Sequence, residues 1–156
     1  MDDLMILIHS NRVAVVSLAP SHTIVRERLR VDRVDFRINE SLNRLENKVS
    51  GKWKKGGQRV KKDSSLCYIH AENRIFTVRA CVPGALVEVN ARLCDEPSLL
   101  NSNPFDLAHI GVVLPPFHLE TELRNTMFSH PDAYIELRKD LIRPEFLREP
   151  QMGPKP

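Results

Sequence analysis

The chain has 156 residues, of which 42% are hydrophobic, and this is enough for one domain with its own buried core. The formal net charge of +3 conceals an uneven distribution: residues 26–62 hold 13 Lys/Arg against 5 Asp/Glu, whereas residues 82–156 hold 7 against 11. No apolar run approaches the ~20 residues of a membrane span, and the start of the chain is acidic, unlike a signal peptide, so we expect a soluble intracellular domain without membrane contact.

The first two-thirds of the chain predicts short strands separated by turn residues. Apolar runs at 5–9 and 13–18 flank Ser10-Asn11-Arg12 and predict a hairpin, and residues 31–38 alternate apolar and polar residues as a half-buried strand does. The remaining strands are expected at residues 65–70, 74–80, 85–89 and 108–114. A hairpin turn at Ala71-Glu72-Asn73 would place Cys67 opposite Thr77.

Two helices are predicted near the C-terminus. Leu119, Leu123 and Met127 form an i, i+4, i+8 apolar stripe, and a second helix begins at Pro131, a residue tolerated in a first helical turn. The fold class is therefore mostly β, with one or two C-terminal helices. We expect residues 1–143 to form the domain and residues 144–156 to form a mobile, Pro-rich tail.

Residues 48–62, here called the basic loop, carry seven positive charges and no acid. The candidate partner-binding residues are Lys48, Lys52, Trp53, Lys54, Lys55, Arg59, Lys61 and Lys62. Three glycines in this segment predict an exposed loop or hairpin tip rather than continuous regular structure. Trp53 either stacks on a nucleobase or anchors a protein interface, or it folds back over the end of the barrel. The two clusters of cations in this loop, at residues 52–55 and 59–62, also resemble a nuclear-import signal.

Motifs for catalysis and metal binding are missing. The loop lacks the Gly-Lys-Ser/Thr ending of a phosphate-binding loop, and the six histidines are scattered. Cys67 and His70 would point to opposite faces of a strand and so could not share a metal ion. We therefore expect no enzyme activity, no metal, and buried, reduced structural thiols at the three cysteines.

Two segments, PGALVEVN at 83–90 and DEPSLLNSNP at 95–104, resemble the glycine-cleavage H-protein and its lipoyl-domain relatives. The resemblance covers about 35 residues and implies a barrel-sandwich hybrid, also called a single-hybrid motif. An H-protein carries a lipoyl-lysine at a hairpin tip, and the matching positions here are Ala71, Glu72, Asn73 and Arg74. Because none of them is a lysine, we expect no lipoyl cofactor.

A closer resemblance, to the Abitram (actin-binding transcription modulator, or Simiate) family, spans residues from about 6 to 138. It rests on HSNR at 9–12, RLENKVSGKWKKG at 44–56, the strand at 81–90 and IGVVLP at 110–115. Membership would imply a non-enzymatic protein that binds actin and affects filament assembly and the form of cell projections such as filopodia and dendrites. It would also imply residence in the cytoplasm and in nuclear speckles.

The leading hypothesis is a binding module whose basic loop docks on an acidic protein surface such as actin, with an affinity that weakens as salt rises. The charge pattern favours an acidic partner, and the resemblance supplies its name. The alternative is a nuclear module associated with RNA or transcription, which would show a steep salt dependence. A lipoyl-carrier-like protein is the third hypothesis.

Overall fold

The computed structural model describes residues 2–52, 55–126 and 131–147. The strands are β1 (Leu4–Ile8), β2 (Ala14–Leu18), β3 (Val31–Asp35), β4 (Arg37–Asn39), β5 (Leu42–Asn43), β6 (Arg59–Val60), β7 (Ser65–Ala71), β8 (Arg74–Arg79), β9 (Gly84–Val89) and β10 (Gly111–Leu114). The α-helices are α1 (Thr23–Glu27), α2 (Arg92–Asp95), α3 (Leu99–Ser102), α4 (Glu120–Thr126), α5 (Pro131–Arg138) and α6 (Pro144–Leu147). Single 3-10 turns lie at Arg44–Glu46 and Phe117–Leu119.

The described strands form two main antiparallel sheets around one core. The larger sheet has the order β1-β2-β10-β9-β6, the smaller has the order β3-β7-β8, and β4 and β5 form a separate pair. In β8, Phe76 and Val78 are buried and the residues beside them are exposed, as expected for a strand with one face on a core. Val16, Leu86 and Ile69 belong to the same buried cluster although they come from both sheets, so the predicted mostly β class is confirmed.

Both predicted hairpins are present. In the β1–β2 hairpin, Arg12 adopts a φ of 77°. In the β7–β8 hairpin, Glu72 and Asn73 alone form the turn, with φ angles of 48° and 64°, and two positive φ values are typical of a type I′ turn.

The predicted register of the β7–β8 hairpin was wrong by one residue. Because the turn has two residues rather than three, Cys67 lies opposite Val78 instead of Thr77.

The single strand predicted over residues 31–38 divides into β3 and β4 at Phe36. The Phe36 side chain is 1% exposed, and its carbonyl accepts a hydrogen bond from the Arg44 amide at 2.9 Å. The Asp35 carboxylate accepts a hydrogen bond from the Arg37 amide at 2.9 Å, which turns the chain so that β4 pairs with β5 while β3 pairs with β7.

The C-terminal helices α4 and α5 lie where the sequence predicted them, although Met127 of the predicted stripe is outside the described residues. Asp3 receives a hydrogen bond from Arg138 at 2.6 Å, and the Ser21 and Tyr134 hydroxyls lie 2.6 Å apart. These contacts attach α5 to the start of the chain.

The first residues of the predicted 144–156 tail are part of the folded domain. They form α6, in which the Phe146 ring packs edge-on against Phe105 at a centroid distance of 4.9 Å. Arg28 and Arg143 pair with Glu145 at 2.7 and 3.3 Å. Residues 148–156 lie outside the described part of the chain.

Candidate partner-binding surface

A buried arginine anchors the basic loop to the smaller sheet. The Arg44 side chain, whose residue is 4% exposed, donates to the Ser65 carbonyl from Nε at 3.0 Å and from Nη2 at 2.9 Å. Its Nη1 donates to Gln58 Oε1 at 2.9 Å. Burial lowers the pKa of Arg44, and these hydrogen bonds offset the water that the guanidinium loses.

Gln58 and Asn47 anchor the same loop to the larger sheet. The Gln58 amide donates to Asn47 Oδ1 at 2.7 Å, and Asn47 Nδ2 donates to the carbonyls of Leu86 and Val87 at 2.9 and 3.2 Å. Gln58 Nε2 donates to the Asn43 carbonyl at 3.0 Å. Asn47, the residue before the basic loop, is therefore joined both to Gln58 within the loop and to β9.

The polar cluster of Asn43, Arg44, Asn47 and Gln58 was not predicted from the sequence. Arg44 and Asn47 belong to the segment 44–56 that carries the family resemblance, but polar residues of these types are typical of a solvated surface and indicate no buried role. Their role depends on carbonyl groups of β7 and β9, which come close only in the folded chain.

The C-terminal part of the basic loop is more regular than its glycines predicted. Arg59 and Val60 form β6, paired with Ala85 and Gly84 of β9. A Cβ atom at Gly57 would collide with the Leu86 carbonyl oxygen, so glycine is required where the loop passes over β9. The prediction was a loop or hairpin tip without continuous regular structure, and the described residues of 48–62 contain this two-residue strand and one isolated bridge between Ser50 and Lys55.

The tip of the basic loop is a small hairpin. Ser50 and Lys55 exchange two backbone hydrogen bonds of 2.9 and 3.0 Å, and Gly51 turns the chain with a φ of +69°. Trp53 and Lys54, two of the predicted site residues, lie outside the described residues. The structure therefore defines the backbone on either side of these two residues, at Ser50–Lys52 and at Lys55.

All described cations of the predicted site point to solvent. The exposed residues are Lys48, Lys52, Lys55, Arg59, Lys61 and Lys62. Within residues 2–52, 55–126 and 131–147, five of them form no salt bridge: Lys48, Lys55, Arg59, Lys61 and Lys62. These five charges therefore lie on the described frame of the loop without a salt bridge from the described residues to offset them.

The tip of the β7–β8 hairpin has the opposite character. Glu72 Oε1 accepts a hydrogen bond from the Arg30 amide at 2.9 Å, and the Glu72 amide donates to Asp32 Oδ2 at 3.1 Å. Arg30 pairs with Asp32 at 3.2 Å, and Arg74 pairs with Glu27 at 3.2 Å. This tip balances its charges internally.

The described residues contain no group of three or more His, Cys, Asp or Glu side chains arranged to hold a metal ion. Cys67 is buried, and burial raises the pKa of its thiol. Cys81 is half-buried and Cys94 is exposed, so the expectation of three buried thiols was wrong for these two. No described helix is long and apolar enough to cross a bilayer.

The comparisons with known proteins agree with this architecture. The family model for the glycine cleavage H-protein matches residues 39–139. Protein Abitram of Xenopus tropicalis is 36% identical over 132 residues, covering 84% of this chain and 72% of the relative. The chain belongs to the Abitram family. Protein Abitram of Dictyostelium discoideum is 31% identical over 144 residues, covering 90% of this chain and 78% of the relative.

Protein Abitram of Homo sapiens is 39% identical over 117 residues, which is 74% of this chain. This chain spans 65% of the length of that relative. The crystal structure of a glycine cleavage system H protein from Mycobacterium marinum superposes with a TM-score of 0.52 at 16% identity, covering 81% of this chain and 80% of that one. This Abitram-family chain therefore has the H-protein-like barrel-sandwich hybrid fold with C-terminal helices.

Proposed function

We propose that this chain is a non-enzymatic actin-binding module that docks through its basic loop. The observation that supports the proposal is a set of exposed cations without salt bridges in the described residues, on a loop whose base is hydrogen-bonded to both sheets. Membership of the Abitram family supplies actin as the partner. The charge pattern supplies the chemistry, since a positive surface is attracted to an acidic one.

The hydrogen-bonded base has an energetic consequence for binding. Because Gln58 is hydrogen-bonded to Arg44 and Asn47, which precede the loop, residues 48–58 are held as a closed segment, and association loses less conformational entropy than it would with a free segment. The cations act over about a Debye length, roughly 8 Å at physiological salt, so they accelerate encounter and the affinity falls as salt rises.

We further propose that the protein modulates actin filament assembly and the form of cell projections, and that it also acts in the nucleus. Its locations would be nuclear speckles, the cytoplasm and cell projections. A nuclear RNA or transcription-associated partner is the second candidate, which the same seven cations of the basic loop favour. An affinity for RNA that falls steeply as salt rises, together with an affinity for actin that does not change with salt, would favour that candidate.

Actin co-sedimentation tests the leading proposal. The double variant Lys52→Glu/Lys55→Glu reverses two loop charges, and we expect at least about a tenfold loss of affinity, as is typical when several interfacial charge contacts turn repulsive. The matched control, Arg33→Glu/Arg37→Glu, reverses two exposed charges on β3 and β4 and should retain binding. Unchanged binding of the loop variant, or an equal loss in both variants, would contradict the assignment of the loop.

The H-protein fold also raises the question of lipoylation. The two turn residues of the β7–β8 hairpin are Glu72 and Asn73, neither of which has an amine that could form an amide with lipoate. We therefore propose that the chain is not a lipoyl carrier. Intact-mass measurement of the protein from lipoate-supplied cells should show the unmodified mass, and a lipoyl adduct would contradict this.

A further inference from the structure

Sheet register brings a distant arginine to the basic loop. In the five-stranded sheet, Arg59 of β6 pairs with Ala85 of β9, and Ala85 pairs with Leu114 of β10. The neighbouring residue of β10, Val113, pairs with Ala14 of β2. The turn between β1 and β2 therefore lies at the same end of the sheet as β6, and this turn carries Arg12.

These elements enclose a cleft of about 400 Å³. Arg12, Lys55 and Arg59 contribute positive charge to its lining, and Leu114 and Pro115 contribute apolar surface. No acidic side chain is among the described residues that line it. The cleft is therefore an open, concave site lined by both cationic and apolar side chains.

Arg12 is held at this cleft in an unusual state. Its backbone has a φ of 77°, a region that side-chain-bearing residues adopt at an energetic cost. Its guanidinium lies 5.2 Å from the ring centroid of Phe117, which is 76% exposed. Arg12 Nε is shielded from solvent and has no hydrogen-bond partner among the described residues, and Arg12 forms no salt bridge with them.

The chemistry of the lining selects a carboxylate. Two guanidinium groups and one ammonium group supply charged donors, and guanidinium groups match carboxylate oxygens in pairs. The apolar residues of the lining and the exposed Phe117 ring beside Arg12 suit a ligand that also has apolar atoms. A nucleic acid strand would instead require a charged groove lined with aromatic faces for its bases, whereas no aromatic side chain is among the described residues that line this cleft.

We propose that this cleft binds an acidic side chain of a protein partner, with Arg12 as a binding residue and Phe117 covered by an apolar neighbour of that acid. The identification of the partner as actin rests on the proposed function, whereas the ligand chemistry rests on the cleft alone. The site thus extends the basic loop to a residue more than thirty positions earlier in the chain.

The first experiment uses a labelled peptide with an Asp-Glu pair flanked by leucines, and the same peptide with Asn-Gln as its uncharged counterpart. Fluorescence anisotropy should show binding of the acidic peptide, at least about tenfold tighter than the uncharged one. Arg12→Gly removes the guanidinium while keeping a residue suited to positive φ, and it should weaken acidic-peptide binding about tenfold without lowering the melting temperature. Arg37→Ala, which removes an exposed arginine of β4, should leave binding unchanged.

Actin co-sedimentation of the same variants separates the two proposals. If Arg12→Gly binds the acidic peptide and actin like the wild type, the proposal that the cleft binds a carboxylate is wrong. If Lys52→Glu/Lys55→Glu loses actin binding in the same assay, the assignment of the basic loop still stands. Arg12-dependent peptide binding without any actin binding would support the cleft and contradict actin as partner. Arg12-dependent binding of a single-stranded RNA oligonucleotide, with no binding of the acidic peptide, would overturn the carboxylate assignment.

Discussion

Two hairpin tips of the same domain manage charge in opposite ways. At the β7–β8 tip, the Glu72 carboxylate accepts a hydrogen bond from the Arg30 backbone amide, and the Asp32 carboxylate accepts one from the Glu72 amide and pairs with the Arg30 guanidinium. At the tip of the basic loop, Lys55 is exposed and forms no salt bridge within the described residues. A charge balanced inside the chain contributes to the fold, whereas a charge left without a partner in a defined geometry is available to another molecule.

The largest expected effect tests whether the basic loop depends on its close approach to β9. Gly57→Ala places a Cβ against the Leu86 carbonyl oxygen, and because that atom belongs to the backbone of a paired strand it cannot easily move. We expect a loss of about 3 kcal/mol in the free energy of unfolding, at the upper end of overpacking effects, measured by urea denaturation.

Gly51→Ala is the matched control for that substitution. Nothing lies within 4 Å of the added Cβ, although the φ of +69° is unfavourable for alanine. The expected loss is about 1 kcal/mol. Equal losses for the two variants would show that the loop does not need its contact with Leu86.

The next largest expected effect is a dependence of folding stability on pH, caused by a histidine that packs against the β7–β8 hairpin. His22 is 1% exposed, packs against Phe76 of β8, and accepts a hydrogen bond from the Ile24 amide. Burial lowers the pKa of His22 from 6.5 to about 4, although the nearby carboxylates of Asp2 and Asp3 oppose this shift. The basic loop contains no histidine, so its charge does not change over the same range.

The direction of the pH effect follows from proton uptake. Between pH 6.5 and about 4 the unfolded chain binds a proton at His22 that the folded chain does not, so stability is complete above pH 6.5 and falls as the pH drops. We expect His22 to contribute a loss of about 2–3 kcal/mol by pH 4. In His22→Asn, which keeps a side chain that can cap α1, urea denaturation across this range should show a correspondingly smaller fall. Equal pH dependence in both proteins would contradict the assignment.

The smallest effect tests the comparison of the two tips directly. Asp32→Asn weakens the acceptor for Arg30 and Glu72, and because the site is exposed we expect a loss of about 0.5–1 kcal/mol. Lys55→Gln removes one loop charge that has no salt bridge among the described residues and should change stability by less than about 0.5 kcal/mol. Thermal unfolding of both variants in low and high salt measures this. A larger loss from Lys55→Gln than from Asp32→Asn would break the comparison.

Much of the fold is readable from local chemistry. Alternation of apolar residues located most strands, and the turn residues around Asn11 and Asn73 located both hairpins, because these signals act within a few residues of each other. The same locality explains the errors: a two-residue turn and a three-residue turn look alike in sequence, and helices of four or five residues such as α2 carry too few apolar positions to show a period.

The sequence by itself determined the mostly β class, the family resemblance and the position of the positive charge in residues 48–62. Only the tertiary structure decided which of these charges share a surface. Arg44 is buried where the Ser65 carbonyl of β7 and the Gln58 side chain accept its hydrogen bonds. Arg12, Lys55 and Arg59 line one cleft because the sheet order β2-β10-β9-β6 brings the β1–β2 turn and the basic loop to the same end of the sheet. Strand pairing brings together residues that are far apart in the sequence, and no pattern within a short segment of the sequence specifies which residues will meet.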